Sequence, residues 1–194
     1  MNNGILAELL SRAFADGEEK ARLILDKFGG IGGVLEADTE SASDALSGDL
    51  HAAVYIKLCS AVVSRRGCDA FKLGRRHTED EICEYLKYLF FGLSDETVYL
   101  LSIDKDGRVI AADKMGDGTV NASNILPRKV VDLARKRKAA SVIVAHNHPG
   151  GYAKPSDDDI SATSLLNSLL VSSGLALDAH YVVAGNECER VPAV

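Results

Sequence analysis

The chain lacks a long apolar run, a close cysteine pair and a strong excess of charge of one sign. No stretch of its 194 residues approaches the ~20 consecutive apolar residues that a membrane-spanning helix needs. Its N-terminus has no basic segment followed by an unbroken apolar one, so no secretion signal is indicated there. The net charge of −6 provides no general attraction to nucleic acid or to a membrane surface. These absences lead us to expect a soluble, cytoplasmic protein.

The four cysteines, at positions 59, 68, 83 and 188, are widely spaced and form no C-x-x-C pair. That spacing argues against a disulfide framework and against a cysteine-based zinc site, and it suits a reducing compartment. Hydrophobic residues make up 46% of the chain and charged residues 26%, which indicates a globular protein. The length suffices for one domain of ordinary size and a small second one.

Several common enzyme motifs are also absent. The sequence has no H-E-x-x-H, no H-x-E combined with P-C-x-x-C as in nucleobase deaminases, no P-loop and no G-x-S-x-G. The chemistry must therefore reside in a different pattern.

Residues 141–163 carry the most specific pattern of the chain. The apolar run Val142–Ala145 is typical of a buried strand and leads into two histidines, His146 and His148. Side chains at positions i and i+2 of a strand share a face, with Cα atoms roughly 6.5–7 Å apart. The two imidazoles can therefore point at one place, just before Pro149–Gly151 ends the strand.

An acidic side chain completes this group. Asp159 is expected in the first turn of a helix that opens at Ser156, where it would point back towards the strand end. Two histidines and an aspartate fill three corners of a zinc tetrahedron and leave the fourth for water, as in catalytic zinc sites. Each feature also has a plain structural explanation, since Ser156 with Asp159 forms a capping box. Taken together, the features favour a metal site at His146, His148 and Asp159.

Hydrolysis at such a site also needs a general base that is not itself a ligand. Glu96, at the start of a predicted strand, is the best-placed candidate, and it competes with Asp95, Asp104 and Asp113. Ser156 has two compatible roles, because it can cap the helix and its hydroxyl can stabilise a tetrahedral oxyanion.

Four further polar residues have open or ordinary interpretations. Asp178 and His180 share one face of a predicted late strand, where they either orient a ligand histidine or form a surface pair. His51 and His77 lie in the predicted helical part and are interpreted as ordinary polar residues.

Residues 1–75 are predicted to form a small all-helical domain. Short helices joined by glycine-containing turns, such as 29–33, are typical of helix-hairpin-helix modules, which bind DNA phosphates through backbone N–H groups. Few basic residues surround these glycines, and plain turn chemistry is the alternative. A linker is expected between the arginine pairs at 65–66 and 75–76. The expected helices cover about residues 5–14, 18–28, 34–37, 40–46 and 50–65.

Residues 76–194 are predicted to form an α/β or α+β domain with a mixed sheet. The order of elements after residue 95 is β-β-α-β-α-β-β. The basic run 135–138 is explained by a helix C-terminus, although a basic patch for a partner is the alternative. The expected elements are a helix at 78–91, strands at 97–103 and 108–115, a helix at 127–138, the histidine strand, a helix at 156–173, and strands at 177–184 and 187–191.

The spacing His146-x-His148-x7-Ser156-x2-Asp159, with an upstream glutamate, resembles the JAMM (MPN+) metallopeptidase motif. More narrowly, the chain is similar to the RadC family (DUF2466/UPF0758) over about residues 90–191. Two positions depart from the family pattern, because Gly150 stands where the family often has serine and the glycine hairpin near 47 is reduced. The matching stretches are Glu96–Tyr99, His146–Pro149, Pro155–Asp159 and Asp178–His180.

This resemblance implies a JAB/MPN fold, related to the cytidine deaminase-like sandwich, after a degenerate helix-hairpin-helix domain. It also implies zinc on His146, His148 and Asp159, with Glu96 as the water-activating acid and Ser156 assisting the oxyanion. The expected function is thus that of a zinc-dependent hydrolase, a metalloprotease that cleaves a peptide or isopeptide amide in a peptide or protein substrate.

Two other functions stay open at this point. The family carries a DNA-repair label, so one alternative is a DNA-associated repair or recombination accessory protein. The other is a catalytically silent protein-binding scaffold, against which the complete set of ligands and base argues, because inactive relatives typically lose these residues.

Overall fold

The computed structural model describes residues 4–93, 95–117, 125–149 and 151–192. The chain divides into two compact units. The first contains the chain up to Gly67 and the short return from Phe91, and the second contains Cys68–Phe90 and the chain from Asp95 onward. The domain boundary expected between residues 75 and 76 stays a prediction, and Gly150 lies outside the described residues.

The first unit is built from short helices whose apolar stripes meet in one core. Gly17 allows the first two helices to approach closely, because a Cβ there would lie 2.2 Å from the backbone of Leu10. Asp38 caps the fourth helix by accepting the backbone N–H of Ser41 at 2.8 Å. The helices are α1 (Gly4–Ala13), α2 (Gly17–Phe28), α3 (Ile31–Glu36), α4 (Thr39–Ala45) and α5 (Leu50–Ala70).

Helix α5 continues beyond its expected end. It runs to Ala70, past the arginine pair at 65–66 after which we expected the linker to begin. Arginine is a good helix former, and one glycine in a helix interior costs only about 1 kcal/mol, which a long helix tolerates. The start of the predicted linker was therefore wrong.

The second unit is a five-stranded mixed sheet with flanking helices, which confirms the mixed α/β architecture expected from the sequence. The strand order is β2-β1-β3-β4-β5, in which β3 and β4 are parallel and the other neighbours are antiparallel. The elements are α6 (Glu79–Phe90), β1 (Thr97–Ile103), β2 (Val109–Asp117), α7 (Ile125–Arg137), β3 (Ser141–Asn147), α8 (Asp157–Ser172), β4 (Ala176–Ala184) and β5 (Glu187–Arg190).

Helices cover both faces of this sheet. On one face, α7 and α8 pack against alternate strand residues such as Leu100 and Val144, which are almost fully buried. On the other face, Phe90 of α6 contacts Tyr99 of β1 edge-on, with ring centroids 5.3 Å apart. Because both faces are covered, every residue of β3 is buried, including its two polar residues near the end, His146 and Asn147.

The cysteines differ from what their spacing suggested. Cys83 of α6 and Cys188 of β5 form a disulfide across 105 residues of sequence. Spacing along the chain gave no sign of this pair, because the two residues meet only when α6 packs beside the sheet. None of the helices in the described part of the chain combines the length and the apolar character that crossing a membrane requires.

Candidate metal centre

The end of β3 brings two imidazoles together. His146 lies within the strand and is 1% exposed. His148 lies just beyond it, yet its backbone N–H donates to Val183 of β4 at 2.9 Å, so the strand geometry continues through this residue. The two side chains therefore point to the same side, and their Nε2 atoms lie 3.0 Å apart.

Asp159 reaches the same point from the first turn of α8. Its Oδ1 lies 3.0 Å from Nε2 of His146, and its Oδ2 lies 3.6 Å from Nε2 of His148. Ser156 holds this carboxylate, since its backbone N–H and its hydroxyl both donate to Oδ2, at 2.7 and 2.6 Å. The capping box is thus real, and it holds Oδ2 so that Oδ1 faces His146.

The donor set fits a zinc ion. Zinc bonds of about 2.0–2.1 Å in a tetrahedron place neighbouring ligand atoms roughly 3.3 Å apart. Nε2 of His146 lies 3.0 Å from both Nε2 of His148 and Oδ1 of Asp159, slightly less than that value, and Nε2 of His148 lies 3.6 Å from the other carboxylate oxygen, Oδ2. Within the described residues, His146, His148 and Asp159 are the one group of three or more ligand-type side chains that could hold a metal ion.

Hydrogen bonds fix the outer nitrogens of both rings. Nδ1 of His148 lies 3.1 Å from the carbonyl oxygen of Tyr152, so it must donate, and Nε2 then carries a lone pair. Nδ1 of His146 lies 3.0 Å from Nε2 of His180, whose own Nδ1 lies 2.6 Å from the hydroxyl of Thr163. This answers the open question about β4, because His180 contacts a candidate ligand whereas Asp178 accepts a hydrogen bond from Ser141 at 2.7 Å.

Burial decides the charge of these groups. It lowers the pKa of His146 to about 4, although Asp159 acts in the opposite direction, and it lowers the pKa of His180 to about 3. Burial alone would raise the pKa of Asp159, but the hydrogen bonds from Ser156 and the nearby imidazoles of His146 and His148 together hold that pKa below its usual range. At neutral pH the site therefore offers a neutral imidazole at His146 and an ionised carboxylate at Asp159, the forms that bind metal.

Glu96, the expected base, lies within electrostatic reach of the site. Burial raises its pKa, His148 lowers it in part and Asp159 raises it further. The position of Glu96 is set by Asn147, which lies between the two histidines. Its Oδ1 accepts the backbone N–H of Thr97 at 2.7 Å, and its Nδ2 donates to the carbonyl of Asp95 at 3.2 Å. The amide thus holds the chain on both sides of Glu96.

The competing acids of the sequence have other partners. Asp104 accepts the backbone N–H groups of Asp106 and Arg108 in the turn between β1 and β2, both at 2.9 Å. Asp113 of β2 pairs with Arg137 at the end of α7. Asp95 is exposed, and its backbone carbonyl accepts a hydrogen bond from Asn147. Glu96, by contrast, lies close enough to His148 and Asp159 for both residues to shift its pKa.

The remaining histidines have structural surroundings. His77 stacks on Phe71, with ring centroids 3.7 Å apart, and His51 is exposed on α5.

In the first unit, acidic side chains occupy the first turns of α2 and α4, namely Glu18, Glu19 and Glu40. DNA binding by this unit stays a prediction.

Sequence reasoning missed Thr163 and the clamping role of Asn147. Thr163 had one available signal, because it follows Asp159 by four residues and therefore lies on the same side of α8, one turn later. Asn147 had none, because its partners are 50 residues away in sequence.

Comparison with known proteins gives a consistent set of relatives. The family model of the RadC-like JAB domain matches residues 76–190. A UPF0758 protein of Methylibium petroleiphilum is 31% identical over 92% of this chain and 82% of its own length. A UPF0758 protein of Shewanella woodyi is 34% identical over 87% of this chain and 76% of its own. A UPF0758 protein of Cupriavidus taiwanensis is 27% identical over 100% and 90%, respectively.

Proposed function

The chain belongs to the RadC-like JAB domain family, and from this premise we propose that it is a zinc-dependent hydrolase of the JAMM type, which cleaves a peptide or isopeptide amide. The observation that supports the proposal best is that Nε2 of His146 lies 3.0 Å from both Nε2 of His148 and Oδ1 of Asp159, within electrostatic reach of Glu96, whose pKa is raised. Three groups that accept but do not donate protons are stable at such distances when a cation lies among them.

His146, His148 and Asp159 would hold the ion. Zinc supplies polarisation of the scissile carbonyl and a water whose pKa falls to about 7. The protein contributes the rigidity of the site, because each candidate ligand is fixed by a second hydrogen bond: from His146 to His180, from His148 to Tyr152 and from Ser156 to Asp159.

Glu96 is the proposed proton carrier. Its raised pKa lies closer to neutral pH, where a carboxyl group can both accept a proton and return it. Its carboxylate takes the proton of the attacking water and delivers it to the leaving amide nitrogen. Because Asn147 fixes the backbone on both sides of Glu96, the carboxyl is positioned before substrate arrives.

Ser156 is the proposed oxyanion donor. Its hydroxyl lies at the N-terminus of α8, where the helix dipole also favours negative charge. In the free protein this hydroxyl donates to Asp159, so donation to an oxyanion requires it to rotate away from Oδ2. The backbone N–H of Ser156 continues to hold the carboxylate meanwhile.

Two variants test the proposal. His148→Ala should lose the roughly one zinc per chain that we expect in the purified wild-type protein. Glu96→Gln should keep that zinc and lose turnover of peptide and isopeptide substrates by about 100-fold or more, since general acid–base catalysis contributes 10²–10⁴. The matched controls are His51→Ala and Asp95→Asn, a distant histidine and the neighbouring acid, and both should behave as wild type.

Zinc that survives in His148→Ala, or a Glu96→Gln variant as fast as wild type, would refute the assigned roles. If the wild-type protein takes up no zinc and instead binds DNA with an affinity that falls steeply with salt, the accessory function replaces the hydrolase.

A further inference from the structure

Behind the candidate ligands lies a buried chain of polar side chains, formed by His146, His180 and Thr163. We propose that Thr163 and His180 are positioning residues, which fix His146 with its proton on Nδ1 and its lone pair on Nε2, towards the metal site. The inference rests on the proposed function, since it names what orients a ligand of that same site.

The direction of these hydrogen bonds follows from Thr163, the last of the three residues. The hydroxyl of Thr163 lies 2.6 Å from the backbone carbonyl oxygen of Asp159. A carbonyl oxygen has no proton, so Thr163 must donate to it. The hydroxyl has then used its one proton, and towards His180 it can act only as an acceptor. Nδ1 of His180, 2.6 Å away, is therefore the protonated nitrogen of that ring.

The position of the proton on His180 in turn determines the position of the proton on His146, next to the metal site. A neutral imidazole with a proton on Nδ1 has a lone pair on Nε2. Nε2 of His180 lies 3.0 Å from Nδ1 of His146, so His146 donates. Its Nε2 is then the unprotonated nitrogen, and this is the atom that lies 3.0 Å from both His148 and Asp159. One hydroxyl proton thus determines the tautomer of two rings.

Burial leaves these three side chains little alternative to the hydrogen bonds between them. His146 is 1% exposed, Thr163 5% and His180 6%, so water has little access to replace a missing partner. An unpaired polar group in such a place is unfavourable, because it has lost its hydrogen bonds to water without replacing them. These hydrogen bonds also join three elements, because His146 belongs to β3, His180 to β4 and Thr163 to α8. They begin at one ligand and end on the backbone of another, Asp159.

The experiment compares three single variants on the full-length protein. Thr163→Val keeps the shape of the side chain but removes the acceptor for His180, so zinc affinity, measured by competition with a chelator, should fall about 10- to 100-fold. Thr163→Ser keeps the hydroxyl and should restore wild-type affinity. Ser164→Ala is the matched control, because Ser164 makes the same kind of helix bond, to Ile160 at 3.0 Å, without touching a histidine.

A second readout needs neither zinc nor substrate. Nitrogen-15 NMR of the ring nitrogens in the metal-free wild-type protein should show His146 and His180 both protonated on Nδ1. In Thr163→Val, the signal of His146 should shift towards a mixture of tautomers.

Two results would overturn the inference: a valine variant with wild-type zinc affinity, or a wild-type His146 protonated on Nε2. Failure of the hydrolase proposal is distinguishable, because a protein that binds no zinc still reports its tautomers. If the valine variant does not fold, the tautomers of the wild-type rings decide.

Discussion

At the scale of single residues, Asn147 shows how one side chain can serve a site without touching it. The amide lies between the two candidate histidine ligands in sequence but points away from their nitrogens. It binds the backbone before and after Glu96 and is 4% exposed. Its effect on catalysis should therefore differ from that of a ligand, because it places the base rather than the metal.

The variant Asn147→Ala tests this role. It removes the two hydrogen bonds of the amide, with the N–H of Thr97 and the carbonyl of Asp95, so the free energy of unfolding should fall by about 1–3 kcal/mol. Zinc content should stay at the wild-type level, whereas turnover should fall because Glu96 is no longer held. Urea unfolding, metal analysis and a peptidase assay measure the three quantities. Asn167→Ala on α8 is the control, and equal effects of the two variants would contradict the clamp.

At the scale of elements, two helices begin with the same device in different surroundings. In α6, Thr78 and Glu81 form a capping box, with hydrogen bonds of 3.0 and 3.2 Å. In α8, Ser156 and Asp159 form one as well, and there the acid of the box is also a candidate metal ligand. Loss of the cap should cost stability in both helices but should affect metal binding only in α8.

Ser156→Ala and Thr78→Ala separate these effects. Each should lower the free energy of unfolding by about 1 kcal/mol, the usual cost of losing a cap. Ser156→Ala should in addition weaken zinc binding, because Oδ2 of Asp159 loses the serine hydroxyl. Unfolding titrations and chelator competition on both proteins provide the measurement. Similar zinc affinities in the two variants would show that the cap does not orient the carboxylate.

At the scale of the whole molecule, the Cys83–Cys188 disulfide closes a long stretch of the second unit. It joins α6 to β5, and the bond spans 105 residues of sequence. A crosslink restricts the unfolded chain more when the loop that it closes is longer. The helix that covers one face of the sheet is thereby tied to the strand at the edge.

Cys83→Ala should therefore lower the stability of the second unit by about 2–4 kcal/mol. Thermal unfolding with and without dithiothreitol is the measurement, and reductant should destabilise the wild-type protein but not the variant. Cys59→Ala, which removes a free cysteine, is the control and should leave the reductant effect intact. A wild-type protein whose melting temperature does not respond to reductant would contradict the crosslink.

Most of the fold could be read from local pattern. Strands β1 and β3, the two capping boxes and the helix after Ser156 depend on periodicity and on turn residues, which act within a few positions. The end of α5 could not be read this way, because basic residues and one glycine are compatible with both a helix and a linker. The mixed sheet followed from the order of elements, whereas the pairing of β3 with β4 came from the structure.

The sequence by itself determined the candidate ligands and the cap that orients one of them. His146 and His148 are two residues apart on a strand, and Ser156 with Asp159 is a local helix signal, so chain geometry alone aligns the two members of each pair. The tertiary structure decided the hydrogen bonds between His146 and His180, the hold of Asn147 on Thr97 and the cysteine pair. These join residues 34, 50 and 105 positions apart. No local pattern encodes such contacts, because they exist only once strands and helices pack side by side.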